Sequence, residues 1–324
     1  MNKQISLSQA IEGFLLAKSA EGKSHYTIRN YTLDLNRLTS FLGDDPPFTA
    51  ITTDDLRRFL SYLQDEYVPD PQNSSRRLSA KTVRNTYITL SSFWTWAEKE
   101  FEARHVVRPI AIPEAPEKVI EPLTREAIEA LLDACKYTRP WENRPGTRTR
   151  RATYIRDRAI VLFLLDTGVR AQEFCEVTIG EANLKTGKAK VAGKALGRGS
   201  KERIVYLGKS ARRATWRYLQ TREWRRPDDP LFATGSDERQ FERNVLRRLL
   251  NRMGERAGLS KSVYPHRFRH TFAINFLRNG GNLFELQRLL GHTSLKMVMR
   301  YARIAESDTE AAHRQASPVD NWRL

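Results

Sequence analysis

The sequence predicts a mainly α protein of two domains. A helical domain occupies residues 1–104, and a larger, mostly α domain with a small antiparallel β-hairpin occupies 122–324. Three observations support this. Apolar residues recur at helical spacing through residues 6–101 with no convincing strand among them. The stretch HVVRPIAIPEAPEKVIEPL holds four prolines and cannot continue a helix, so residues 105–121 read as an extended linker. Beyond it, helical patterns resume and are broken by AKVAG and ERIVYLG, two alternating segments joined by the glycine-containing tip KALGRGSK.

In SHYTIRNYTLDLNRLTSFLG, Ile28, Tyr31, Leu35, Leu38 and Leu42 share a face, with Ser24 as the N-cap and Gly43 as the stop. In TTDDLRRFLSYLQDEY, Leu56, Phe59, Leu60 and Leu63 follow Thr53 and two aspartates suited to a helix N-terminus. In SAKTVRNTYITLSSFWTWAEKEF, Val83, Tyr87, Leu90, Phe93, Trp94 and Ala97 fall on one side. These stripes read as the core of a small helical bundle. Arg29, Arg37, Arg57, Arg58, Arg76, Arg77, Lys81 and Arg84 lie on the outer faces, where they can meet phosphates or remain solvated.

Charge narrows the partners. Lys and Arg number 55 against 38 Asp and Glu, a formal net charge of +17. Such an excess repels itself unless a polyanion neutralises it, which points to nucleic acid before an acidic membrane surface. No apolar run approaches the roughly 20 residues that span a bilayer. The opening MNKQISLSQAIEGF lacks a signal-type apolar stretch, so a cytosolic protein is expected. Cys135 and Cys175 are too few for a disulfide framework or a cysteine zinc site, and both sit in apolar surroundings as buried thiols.

The second domain opens with a helix near Thr124 that turns Ile128, Leu131 and Leu132 inward. RPWENRPGTRTRRATYIRDR then carries seven arginines against two acids, Arg148, Arg150 and Arg151 among them, and reads as a backbone clamp or a solvated loop. AIVLFLLDTGVRAQEF is apolar nearly all round, so its helix should be buried. It ends at Thr167 and Gly168 and presents Arg170 just beyond, where Glu173 could hold it or an anion could. Residues 209–226 and 236–257 read as helical and strongly basic. In YPHRFRHTFAINFLRNGG, His266 and Arg269 share a helical face. His266 and His270 have zinc-ligand spacing, but Arg267 stands where a metalloprotease needs glutamate and the arginines nearby oppose a cation, so no metal is expected. In LLGHTSLKMVMRYARI, Gly291 breaks a helix before His292, and a further helical run carries Tyr301.

Two arginines, histidines, a basic hairpin tip and a tyrosine suit a metal-free phosphodiester exchange. Arginines neutralise the charge that spreads over the non-bridging oxygens in the transition state. A positioned acid and base contribute roughly 10²- to 10⁴-fold each. A phenol of pKa about 10 is a usable nucleophile and leaving group, and the phosphate would stay on the enzyme as an ester.

TGVRAQE, PHRFRHTFA and LLGHTSLKMVMRYA, in this order and spacing, closely resemble the motifs of the tyrosine recombinases, the phage-integrase and Xer-type family. The resemblance covers nearly the whole chain. It implies a SAM-like core-binding domain, then the recombinase catalytic fold from residue 122. It implies that Arg170 and Arg269 bind the scissile phosphate, that His266 assists proton transfer, that His292 hydrogen-bonds the phosphate and that Tyr301 attacks it. A 3′-phosphotyrosine intermediate, a Holliday junction and no cofactor or metal are further implications. So are four protomers on two double-stranded DNA sites, a C-terminal segment docked on a neighbour, and accessory recombinase or directionality proteins. The location would be the cytoplasm, at the nucleoid.

One position departs from the family. Xer-like members have a short G-K-G turn whose lysine protonates the leaving 5′ oxygen, whereas VAGKALGRGSKERIVYL is longer. Ungapped matching of GRGSKER puts Arg198 there, and arginine is too basic to donate well. Matching from the first strand gives Lys194, which is the assignment favoured over Lys201. Arg29, Arg77, Lys81, Arg84, Arg148, Arg150, Arg151, Arg198 and Lys201 are the candidate DNA contacts. A tyrosine-type topoisomerase would share the chemistry without specific sites, and a non-catalytic DNA binder would not need the Arg/His/Arg/His/Tyr series. The glycine break before His292 also suggests that the tyrosine segment shifts, so that half the protomers cut at a time.

Overall fold

The computed structural model describes residues 5–70, 72, 77–116, 121–138, 147–192, 202–223, 225–235, 239–291, 295–305, 313, 317 and 319. The chain divides into two compact units between residues 118 and 119.

The N-terminal unit contains α1 (Leu7–Ala20), α2 (His25–Leu42), α3 (Thr53–Asp65) and α4 (Ala80–Phe101). The side chains of Ser6, Ser24, Thr52 and Ser79 each cap a helix N-terminus, satisfying amides that the helix leaves open. The α3 cap is Thr52, one residue before the expected Thr53. Thr52 forms a reciprocal box with Asp55, while the Thr53 hydroxyl donates to Val106 O at 2.9 Å. The predicted stripe of α4 is buried in full, from Val83 to Ala97, against Phe14, Leu35, Leu38 and Phe59. Within this core Asp34 accepts from Thr86 at 2.9 Å, Thr89 at 2.8 Å and Arg37 at 2.9 Å, so its charge is compensated. Val106 and Val107 are buried in the same core, and Tyr87 donates to Ile110 O. The start of the stretch read as extended linker is therefore a turn fastened to this unit, because its valines are apolar enough to bury.

The second unit is built on α6 (Tyr154–Thr167), whose Ile160, Val161, Phe163 and Leu164 are buried on all sides, as its unbroken apolar run requires. Around it pack α5 (Arg125–Lys136), α8 (Lys209–Leu219), and α10 (Pro265–Arg278), with α9 (Arg243–Arg256) against α5. Short α7 (Ala171–Glu176) follows α6 directly. Strands β1 (Ala182–Asn183), β2 (Lys188–Ala192) and β3 (Glu202–Tyr206) form an antiparallel sheet in sequence order, with Lys188 opposite Tyr206 and Ala192 opposite Glu202. Among the described residues of the basic stretches 209–226 and 236–257, helix runs only from Lys209 to Leu219 and from Arg243 to Arg256. A small hairpin of β4 (Ala233–Thr234) and β5 (Arg239–Gln240) turns there, with Gly235 in the left-handed region (φ 65°).

A second apolar cluster lies where α10 meets α11 (Leu283–Leu290) and α12 (Leu295–Ala305). Ala273, Ile274, Leu286, Leu290, Val298 and Tyr301 form it. No helix among the described residues is long and apolar enough to cross a membrane.

Candidate active site

Helix α6 stops at Gly168, in the left-handed region at φ 58°. A Cβ there would lie 2.4 Å from Phe272, so only glycine lets α6 end against α10. Two residues on, Arg170 caps α7. Its backbone N–H donates to Glu173 Oε2 at 2.7 Å and its Nη1 to Oε1 at 2.8 Å. Glu173 also takes both Nη groups of Arg203, at 2.6 and 2.8 Å. Burial works to raise the Glu173 pKa, but Arg203 and then Arg170 overcome it and hold it down to about 2.

Arg269 is 2% exposed. Its Nη1 donates to Gly168 O at 2.8 Å and its Nη2 to Leu290 O at 2.6 Å, so it joins the carboxyl ends of α6 and α11. Both are the negative ends of helix dipoles and favour a cation. Burial first, then the like charge of Arg170, lowers its pKa to about 10, and it stays protonated at neutral pH.

The end of α11 is held by three arginines. Arg203 Nε donates to Leu289 O at 2.6 Å, Arg269 to Leu290 O, and Arg170 Nη2 to Gly291 O at 3.1 Å. Gly291 has φ 63°, and a Cβ on it would lie 3.2 Å from Arg203. The next residue is His292.

His266, in the first turn of α10, remains open on one side. Partial burial, then Arg269 and Arg170, lowers its pKa, so the ring is neutral at pH 7 and can accept a proton. Tyr301, 4% exposed, has its phenol pKa raised by burial, with Arg269, Arg300 and Arg170 opposing the rise. His270 Nδ1 lies 2.9 Å from the Tyr301 hydroxyl. Burial, then His266, Arg269 and Arg300, lowers the His270 pKa to about 4.

The structure thus brings Arg170, His266, Arg269 and Tyr301 together from three separate segments. His292, Lys194, Arg198 and Lys201 lie outside the described residues. Arg29, Lys81 and Arg84 are exposed on α2 and α4, while Arg77 donates to Asp65 O at 3.2 Å. Arg148 pairs with Asp133 at 3.0 Å and Arg150 lies over the Tyr154 ring. Arg151 has a structural duty, since it reaches the fully buried Asp157 at 3.3 Å. Two residues at the site escaped sequence reasoning. Arg203 looked like one charge in an alternating strand. His270 entered only as a metal ligand to be set aside, although its place beside Arg269 was a usable signal.

An N-terminal unit whose described residues are mainly helical, followed by a helical unit whose small sheet and last helices converge on arginines, histidines and a tyrosine, is the layout of a phosphoryl-transfer enzyme. The model of the Phage integrase family matches residues 121–308, and that of the Phage integrase N-terminal SAM-like domain matches residues 11–101. The chain belongs to the phage integrase family, the tyrosine recombinases, and its fold is the recombinase fold. It is 30% identical to the tyrosine recombinase XerC of Pelobacter propionicus, over 96% of each chain. It is 29% identical to XerA of Thermococcus kodakarensis, over 97% of each. Among solved structures, XerH bound to a palindromic difH substrate in a post-cleavage complex superposes with TM-score 0.67 at 21% identity, covering 97% of this chain and 85% of that one. A lambda integrase dimer bound to a COC′ core site gives 0.68 at 18%, covering 92% and 77%.

Proposed function

We propose that the protein cuts and rejoins double-stranded DNA at specific sites through a covalent link to Tyr301. The convergence of Tyr301 with Arg170, His266 and Arg269 carries this reading. The Tyr301 oxygen attacks the scissile phosphorus, and the 5′ oxygen leaves. A 3′-phosphotyrosine and a free 5′-hydroxyl result, and the ester conserves the bond for rejoining. Arg170 and Arg269 neutralise the non-bridging oxygens, His292 donates a further hydrogen bond, and His266 assists proton transfer. Strand exchange passes through a Holliday junction in an assembly of four protomers on two DNA sites. The C-terminal segment docks on a neighbour, and a shift of the tyrosine segment lets half the protomers cut at once. Accessory recombinase or directionality proteins are further partners, and the work is integration, excision, transposition or dimer resolution in the cytoplasm, at the nucleoid. Arg29, Arg77, Lys81, Arg84, Arg148, Arg150, Arg198 and Lys201 supply backbone contacts. The exposed Arg247, Arg248 and Arg252 of α9 add to them.

The test is a nicked suicide substrate carrying the DNA that flanks the gene. A denaturation-resistant adduct is expected with the wild-type protein and none with Tyr301→Phe. Adducts on arbitrary DNA would favour a topoisomerase, and none on any DNA would favour a binding protein.

Lys194 is assigned as the acid that protonates the 5′ oxygen. Lys194→Ala is expected to cleave ordinary DNA slower by roughly 10²-fold or more, and to recover on a substrate with 5′-bridging sulfur, which leaves without a proton. Undiminished cleavage of ordinary DNA by this variant would shift the role to Lys201 or Arg198.

A further inference from the structure

We infer that Arg203 is a positioning residue that keeps Arg170 available to the scissile phosphate. It occupies the Glu173 carboxylate, so that Glu173 aims Arg170 without capturing it. The inference rests on the reading of Arg170 as a phosphate-binding residue given above.

Arg203 is turned into the protein. Its side chain is 10% exposed. Nη1 and Nη2 donate to the two oxygens of Glu173 at 2.6 and 2.8 Å, and Nε donates to Leu289 O at 2.6 Å. Two parallel bonds from one guanidinium fix the plane of a carboxylate. Arg170 meets the same carboxylate differently. Its backbone N–H donates to Oε2 at 2.7 Å, and from its guanidinium only Nη1 reaches Glu173, on Oε1 at 2.8 Å. Nη2 donates instead to Gly291 O at 3.1 Å. These contacts use two of the five N–H groups a guanidinium carries, and the Arg170 side chain is 38% exposed. The others are left for an anion.

The acceptor capacity of Glu173 explains why Arg203 matters. Each carboxylate oxygen takes one bond from Arg203 and one from Arg170, which fills its two lone pairs. Burial works to raise the Glu173 pKa, and Arg203 does more than Arg170 to hold the group ionised. Without Arg203 the carboxylate would stay buried with empty acceptor sites and Arg170 beside it. A charge so placed draws its partner into a two-point pair, the strong geometry of arginine and carboxylate. Arg170 would then turn its fork from Gly291 O and the open side toward Glu173. The site would lose charge as well: three guanidinium groups against one carboxylate become two against one.

The test compares adduct rates of folded, full-length protein on two suicide substrates, each at saturating DNA. One carries the ordinary phosphodiester. The other carries a methylphosphonate at the scissile position, an uncharged link that needs no guanidinium to neutralise it. Arg203→Met fills the space without the fork. Arg203→Lys keeps the charge and a single contact, and serves if the first variant folds poorly. Arg170→Ala sets the scale. On the phosphodiester both Arg203 variants should be slower than wild type, Arg203→Met by on the order of 10²-fold, the loss typical of one transition-state donor. Affinity for DNA should change little, because the exposed cations that hold the backbone are untouched. On the methylphosphonate both variants should approach the wild-type rate, as should Arg170→Ala. Adding Arg203→Met to Arg170→Ala should cost no further rate on the phosphodiester, since both losses pass through one guanidinium.

A residue that merely braced β3 against α11 would slow both substrates alike and multiply the loss of Arg170→Ala. That result overturns the inference, as does cleavage of the phosphodiester by Arg203→Met at the wild-type rate. Arg170→Ala that is slowed on neither substrate, or equally on both, overturns the reading of Arg170 itself and this inference with it.

Discussion

Arg269→Ala is expected to damage folding and cutting together. The guanidinium is 2% exposed and is hydrogen-bonded to Gly168 O and Leu290 O. Its removal leaves two helix-terminal carbonyls unpaired in a place closed to water, at about 1–3 kcal/mol each, beside a void. The sum, on the order of 4 kcal/mol, is a large part of an ordinary domain's stability of roughly 5–15 kcal/mol. Urea denaturation of the variant should show an earlier unfolding transition, and adduct formation should vanish. Arg269→Lys separates the two effects. Lysine keeps the charge but has no planar fork to span both carbonyls and a phosphate. It should bind DNA and cleave roughly 10²- to 10³-fold slower, the loss typical of one oxyanion donor. Cleavage by Arg269→Lys at the wild-type rate would reduce Arg269 to a clip between helices.

Glu173→Gln should be nearly as severe. One carboxylate with 1% of its side chain exposed balances Arg170 and Arg203, and breaking such a buried pair costs about 3–5 kcal/mol. The variant should cleave poorly because Arg170 loses the partner that aims it. The pH dependence gives an independent check. Glu173 ionises at about 2 in the folded protein and near its ordinary value of 4.5 when unfolded. The unfolded chain therefore binds the proton first as pH falls. The stability from this group, on the order of 3 kcal/mol, is complete above pH 4.5 and is lost as pH falls through about 2. His270 weakens the fold earlier, between about pH 6.5 and 4, because the folded state resists protonating it. The difference between wild type and Glu173→Gln in urea midpoint should be large at pH 7 and shrink from pH 4.5 downward. A difference that stays constant across that range would deny Glu173 its role.

Much of this was legible in the residues. The stripes of α2, α3 and α4 pointed to the buried side chains because a helix core needs only periodicity. The motifs around Arg170, His266, Arg269 and Tyr301 stood out because charged and titratable groups abut apolar helices there. What periodicity cannot show is which carbonyl a guanidinium will reach. Arg203 lies 86 residues before Leu289 in the chain, so its hydrogen bond is a product of tertiary packing. The same holds for His270, whose partner lies on another helix. The linker was misjudged at its start because its prolines were weighed above Val106 and Val107, which the N-terminal core buries.

The three arginines on Leu289, Leu290 and Gly291 come from a strand, a helix and a helix cap. Each motif is thus referenced to the end of α11, with the chain path between motifs playing little part. A connection that lengthens pays only the slowly growing entropy of loop closure, and the arginine cluster does not register it. The long tip between β2 and β3, residues 193–201, is a departure of this kind. Strand pairing and the Arg203 contacts close the register on either side of it, so the arginine cluster at the end of α11 is insulated from variation in this loop.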